Sequence, residues 1–224
     1  MKVLIFGATG MVGQGVLREC LLATDVTDVL AVGRTPLEQE HPRLRQLVLA
    51  DLMNLEPLEA GLRGYDACFF CLGVSSSGMK EAEYTRLTYD LALAIARTLA
   101  RLNPAMVFTY VSGLGTDSTE RGSSMWARVK GRTENDLQKL PFAGVYLFRP
   151  GLIQPLHGIR PKARLYRIFY AVLKPLLPAA RALFPALVLT TEEMGRAMLN
   201  AARLGAGRRV LETRDIGRLA HRNA

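Results

Sequence analysis

The chain opens on a short apolar run, Lys2 to Phe6, and then changes period: from Met11 to Leu22 apolar residues fall at 12, 16, 17 and 21, the stripe of a helix. Val- and Leu-rich runs at Val29 to Val32 and Leu47 to Ala50, and the apolar run Ala67 to Leu72, predict three more strands. A helix over Glu83 to Leu102, a strand over Ala105 to Val111, a helix over Ser123 to Leu140 and a strand over Val145 to Phe148 continue the alternation. Strands apolar on both faces, each followed by a helix or crossover, predict a doubly wound α/β fold with a parallel sheet covered on both sides. The pattern then changes. Lys162 to Leu173 carries apolar residues at 165, 168, 169, 172 and 173, one face of a helix that prolines end. Thr191 predicts an N-cap for a helix over Glu192 to Arg203, with Glu192 and Glu193 in the first turn where the dipole favours acids. Val210 to Glu212 predicts a short strand and Ile216 to Ala220 a last turn. Residues 1–224 therefore read as one domain, with 152–224 as a small, mostly helical C-terminal appendage.

Composition narrows the class. With 49% hydrophobic and 22% charged residues, the chain can bury a sizeable core and keep a soluble surface, which excludes disorder, collagen and coiled coil. The Leu-rich region from Leu165 to Leu189 is interrupted by Arg167, Lys174 and Arg181 and by three prolines, too often for a membrane span. The N-terminus lacks the apolar core of a secretory signal, and a cytoplasmic location is expected. Three cysteines, at 20, 68 and 71, do not make a disulfide framework. Cys68 and Cys71, three apart on an expected buried strand, face opposite sides and read as core thiols; no metal site is expected.

The net charge of +9 is uneven: residues 1–120 hold 10 basic and 14 acidic side chains, residues 121–224 hold 19 and 6. No acid lies between Asp136 and Glu192, so an anionic ligand is expected to meet this half of the chain. The helix over 162–173, ringed by Arg160, Arg164, Arg167 and Lys174, is of a kind that can lie on anionic lipid. The commoner arrangement buries its apolar face in the core, and that is the expectation. Nucleic acid is not expected, because no binding motif accompanies the charge. Nothing in the pattern selects an oligomeric state.

The strongest chemical signal is Gly7-Ala8-Thr9-Gly10-Met11-Val12-Gly13, between the first strand and the first helix. Glycines there allow a tight turn and bring helix N-terminal amides to a pyrophosphate, the fingerprint of a Rossmann dinucleotide site. After the second strand an NAD site offers a carboxylate to the ribose 2′-hydroxyl. This chain has Val32-Gly33-Arg34-Thr35 and no acid until Glu38, which favours NADP (NADPH) over NAD.

The glycine pattern, Asp51-Leu52 after the third strand, Leu72-Gly73 after the fourth, Ser112 after the fifth and Arg149-Pro150-Gly151 after the sixth resemble an atypical short-chain dehydrogenase/reductase (SDR). The resemblance covers most of the chain and is nearest to the group of NmrA-like regulators, flavin reductases, Tat-interacting-protein-like and epimerase/dehydratase-like proteins. It implies that Asp51 and Leu52 flank the adenine, that Leu72 and Gly73 pass beside the adenine ribose, and that Pro150, Gly151 and Ile153 approach the nicotinamide. It also implies a catalytic Tyr-x-x-x-Lys pair with a helping serine. Here the matching segment is Trp126-Ala127-Arg128-Val129-Lys130: the lysine stands, and an indole, too weak an acid to exchange a proton near neutral pH, replaces the tyrosine. Ser112 is either the orienting hydroxyl or a strand-end cap, since Gly113 fills the position where many relatives carry theirs. Lys130, Ser112 and Trp126 are thus the candidate catalytic residues, with Tyr84, Tyr89 and His157 as substitute acids. Two functions fit: an NADP(H)-dependent oxidoreductase acting on a small organic acceptor, or a non-catalytic NADPH sensor that binds a protein partner. A nucleotide-sugar epimerase proper is not expected, because the C-terminal part is short and the tyrosine is gone.

Overall fold

The computed structural model describes residues 1–159 and 187–222. The strands are β1 (Lys2–Phe6), β2 (Asp28–Gly33), β3 (Leu44–Val48), β4 (Ala67–Phe70), β5 (Val107–Val111), β6 (Gly144–Arg149), β7 (Leu152–Gln154), β8 (Val188–Thr190) and β9 (Val210–Glu212). The helices are α1 (Met11–Leu22), α2 (Glu81–Thr85), α3 (Leu91–Leu102), α4 (Met125–Leu137), α5 (Thr191–Leu204) and α6 (Thr213–Ala220). Seven strands form one sheet in the order β3-β2-β1-β4-β5-β6-β9, parallel throughout, while β7 and β8 pair separately. The order reverses direction between β1 and β4. A crevice opens outside the carboxyl ends of the strands at such a switch point, and it positions the site.

Alternation along the strands builds the two layers. Val3 and Ile5 point to one face, where Val16, Leu17, Met194, Met198 and Ile216 from α1, α5 and α6 cover them. Leu4 and Phe6 point to the other, against Leu93, Ile95, Leu99 and Leu137. Cys68 lies in the second layer and Cys71 packs against the first, as expected for residues three apart on a strand. All three cysteines are free, and no group able to hold a metal occurs among the described residues.

The first strand and helix match the sequence reading residue for residue; other boundaries move for local reasons. β3 begins at Leu44, three residues earlier than expected, because an edge strand pairs on one side only and tolerates Arg45 and Gln46. The long helix expected over Glu83 to Leu102 is divided: a π-helical segment, Arg86–Asp90, joins α2 to α3. The cap of α5 is Thr190, not Thr191. Its side chain accepts from the Glu193 amide at 3.0 Å while the Glu193 carboxylate accepts from the Thr190 amide at 2.8 Å, a reciprocal capping box. The last turn is a full helix, α6, and Val210–Glu212 joins the sheet beside β6. The helix expected over 162–173, with the basic residues from Arg160 to Arg181, lies outside the described residues. None of the described helices is long and apolar enough to cross a membrane.

Candidate functional site

A cleft of about 610 Å³ lies at the switch point, within the roughly 300–1,000 Å³ usual for small-molecule sites. Its floor is the loop after β1. Gly7 has a φ of +85°, and a Cβ there would come within 2.8 Å of the Leu72 amide nitrogen. Gly13, in the first turn of α1, packs behind it so closely that a Cβ would sit 2.1 Å from the Gly7 carbonyl oxygen. Gly10 caps α1 with no side-chain acceptor, and no acid stands in the first turn. The leading amides of α1 are therefore left for an anion, and a pyrophosphate is of the right charge.

Of the expected binding residues, Gly7, Thr9, Gly10, Met11, Arg34, Leu72, Gly73 and Lys130 line the cleft together. Val12 and Gly13 stand behind the loop, Val12 half-buried against the core. Asp51 is exposed, its carboxylate accepting from the Met53 amide at 2.9 Å, and Leu52 is buried in the core; neither lines the cleft. Pro150, Gly151 and Ile153 are likewise outside its lining: Pro150 and Ile153 are buried, and the Gly151 amide donates to Thr213 Oγ1 at 2.9 Å. Thr35, Leu37, Gln46 and Val48, none of which sequence reasoning gave a binding role, also line the cleft. Gln46 Oε1 accepts from the Leu37 amide at 2.7 Å. Arg34 is exposed and makes no ion pair with the described residues. Among the described residues, the lining thus holds two cationic side chains, Arg34 and Lys130, and not one Asp or Glu.

One face of α4 bears Trp126, Lys130 and Glu134 at intervals of four. Lys130 is half-buried and its Nζ donates to the Ser112 carbonyl oxygen. Burial pushes its ammonium down to about 8, against the opposing pull of Glu134. Trp126 does not line the cleft; its ring lies 3.5 Å from where a Cβ of Gly115 would be. Ser112 is buried, and its Oγ donates to Glu134 Oε1 at 2.5 Å. Gly113 faces open space at φ +143°, a conformation that a serine there would adopt only under strain.

Behind Lys130 lies a buried charge cluster that the sequence reading missed. Glu134 is fully buried and accepts from Arg149 Nε at 3.1 and 3.2 Å and from Nη2. Arg149 Nη2 also reaches Ser118 Oγ at 2.6 Å, and Nη1 reaches Glu212 Oε1 at 3.4 Å. The cluster joins α4 to the ends of β5, β6 and β9. Its only sequence signal was the spacing of Glu134 four residues after Lys130, one turn along the same face.

The three substitute acids are engaged elsewhere. Tyr84 is buried against Tyr110, whose hydroxyl is pushed up mainly by burial. Tyr89 donates to Asp136 Oδ2 at 2.6 Å and lies under Arg132 at 4.3 Å. His157 pairs with Glu192 at 3.1 Å, and that contact holds the Glu192 carboxyl below its usual range.

Comparison with known proteins places these features. No family model matches the chain. The protein HTATIP2 of Rattus norvegicus is 30% identical over 176 residues, covering 77% of this chain and 71% of that protein. The mitochondrial protein FMP52 of Eremothecium gossypii is 29% identical over 155 residues, covering 68% of this chain and 66% of the relative. Among solved structures, the Bordetella bronchiseptica enzyme WbmF in complex with NAD+ superposes with a TM-score of 0.65 at 17% identity, over 98% of this chain and 76% of WbmF. That last likeness establishes the fold alone.

Proposed function

This chain belongs to the NmrA-like atypical SDR family of the HTATIP2 and FMP52 proteins, and from that membership we propose that it is an NADP(H)-dependent oxidoreductase acting on a small organic acceptor. The observation that carries the reading is the lining of the cleft among the described residues: a glycine loop at a helix N-terminus, two cations, and no carboxylate. A ligand with a pyrophosphate and a further phosphate matches that field, and an acid facing the ribose would repel it. Gly7 to Met11 hold the pyrophosphate, Arg34 the 2′-phosphate, and Lys130 the nicotinamide end. The bound dinucleotide supplies a two-electron transfer to the acceptor. Trp126 stands at the family's tyrosine position and donates no proton. Quinones and flavins, which take electrons without a strong acid beside them, are the acceptors that fit best, with aldehydes after them. The three free cysteines fit a reducing compartment, and a cytoplasmic location belongs to the same proposal.

The Arg34 assignment is tested by Arg34→Glu. Affinity for NADPH is expected to fall by roughly 100-fold, two charge-assisted contacts of ~1.5 kcal/mol each being lost, while NADH affinity changes less than threefold. Parallel titrations of the variant check it, and equal losses for the two dinucleotides contradict it. The second reading, an NADPH sensor without catalysis, is favoured by the engagement of Ser112, Tyr84, Tyr89 and His157 elsewhere. Oxidation of bound NADPH by any of the three acceptor classes excludes it.

A further inference from the structure

We propose that Lys130 itself is the proton donor of the reduction, giving the acceptor the hydrogen that Trp126 cannot. The inference rests on the oxidoreductase reading above and assigns the acid that the reading lacks. Among the described residues, the titratable side chains lining the cleft besides Lys130 are Arg34, whose guanidinium is a donor of hydrogen bonds and not a proton-transfer acid, and Cys71, whose thiol burial pushes up to about 12. None of Ser112, Tyr84, Tyr89 and His157 is in the lining: Ser112 is bonded to Glu134, Tyr89 to Asp136 and His157 to Glu192, and Tyr84 is buried against Tyr110. An ammonium has three protons; Lys130 uses one on the Ser112 carbonyl, and two remain for the cleft.

The groups packed around it keep that proton available near neutral pH. Glu134, one turn along α4, favours the charged amine, but Arg149 of β6 draws on the same carboxylate, and Glu212 of β9 pairs with Arg149 from the far side. Burial pushes up the Tyr110 hydroxyl of β5 and the Cys71 thiol beyond β4, so neither adds a charge beside the amine; Tyr84 of α2 is buried, and Arg34 lines the same cleft. Burial outweighs Glu134, and the ammonium titrates at about 8, where a general acid is both protonated and willing to transfer. In the step, a C–H bond of the reduced nicotinamide breaks, and its hydrogen and both electrons pass to the acceptor. An Nζ–H bond of Lys130 breaks, its proton goes to the acceptor's oxygen or nitrogen, and the neutral amine regains a proton from water. The dinucleotide is oxidised by two electrons and the acceptor reduced by two.

Two measurements test this. In the first, the protein without dinucleotide is labelled with acetic anhydride across neutral to alkaline pH, and the label at each lysine is read by peptide mass spectrometry. Lys130 is expected to reach half-maximal labelling near pH 8 and to be protected by NADPH, while Lys139, exposed and paired with Asp136, labels only at higher pH. Labelling of Lys130 in step with Lys139 overturns the proposal. In the second, NADPH oxidation by menadione, FMN and benzaldehyde is followed against pH. Turnover is expected to fall tenfold per pH unit above the labelling midpoint. Lys130→Arg, which keeps the charge, is expected to lose that alkaline limb and about 100-fold or more of kcat. Turnover that ignores pH in the wild type refutes Lys130 as donor and leaves the oxidoreductase reading standing. Tight NADPH binding without turnover of any acceptor refutes the oxidoreductase reading, and this inference falls with it.

Discussion

Replacing Glu134 with alanine is expected to destabilise the protein by about 3–5 kcal/mol, because the change leaves the Arg149 guanidinium inside the fold without its main counter-charge. The Glu134 side chain is 1% exposed and that of Arg149 is 11% exposed, so water cannot replace the lost carboxylate. The same change strips the Ser112 hydroxyl of its acceptor. For a chain of this size the melting temperature is expected to drop by roughly 6–20 °C. Glu134→Gln keeps the shape and one acceptor oxygen, and falls in between. The double variant Glu134→Leu with Arg149→Met removes both charges together and is expected to recover much of the loss, since a buried pair is far costlier to break than to replace. Thermal unfolding followed by circular dichroism decides it: a shift under 2 °C for Glu134→Ala would show that the cluster is solvated after all.

The second large effect is at Gly13. A methyl group there meets backbone rather than a movable side chain: the Gly7 oxygen at 2.1 Å, the Gly7 carbonyl carbon at 2.7 Å and the Ala8 Cα at 2.8 Å. The loop after β1 must shift away from α1, and the amides that face the cleft shift with it. Gly13→Ala is therefore expected to cost about 1–3 kcal/mol in strain and, where the loop holds the pyrophosphate, to weaken dinucleotide binding by roughly 5–150-fold. Gly61→Ala is the control. A Cβ there meets nothing within 4 Å, and neither stability nor binding should change. Unchanged binding by Gly13→Ala would mean that the loop does not carry the ligand.

The fold was legible wherever a single period ran undisturbed. Lys2 to Phe6 and Met11 to Leu22 have strongly apolar residues on one clear repeat, and their bounds came out as read. β3 was misplaced because an edge strand carries Arg45 and Gln46 on an exposed face, which hides it from an apolar count. The paired strands β7 and β8, three residues each, are too short to show a period and are held by residues far apart in sequence. The cap of α5 was read one residue late because Thr190 and Thr191 are both threonines; only the reciprocal bond to Glu193 tells them apart.

The site divides the same way. That Gly7 to Met11 and Arg34 share one cleft could be expected, because backbone needs and charge leave marks on local sequence. The partner of the Ser112 hydroxyl was not legible, since Glu134 lies 22 residues away on another element. Arg149 was noticed for its place before Pro150, yet nothing local shows that Glu134 receives its guanidinium. Long-range partners of buried charges are settled by the fold and not by the neighbours of each residue.

The measurement that bears most directly on the account is a calorimetric titration of the intact protein with NADPH and, in parallel, NADH. The cleft predicts that both bind and that NADPH binds at least about tenfold more tightly, the contribution of Arg34 to the 2′-phosphate being ~1.4 kcal/mol or more. Binding of neither, or NADH preferred over NADPH, would contradict the reading of this cleft.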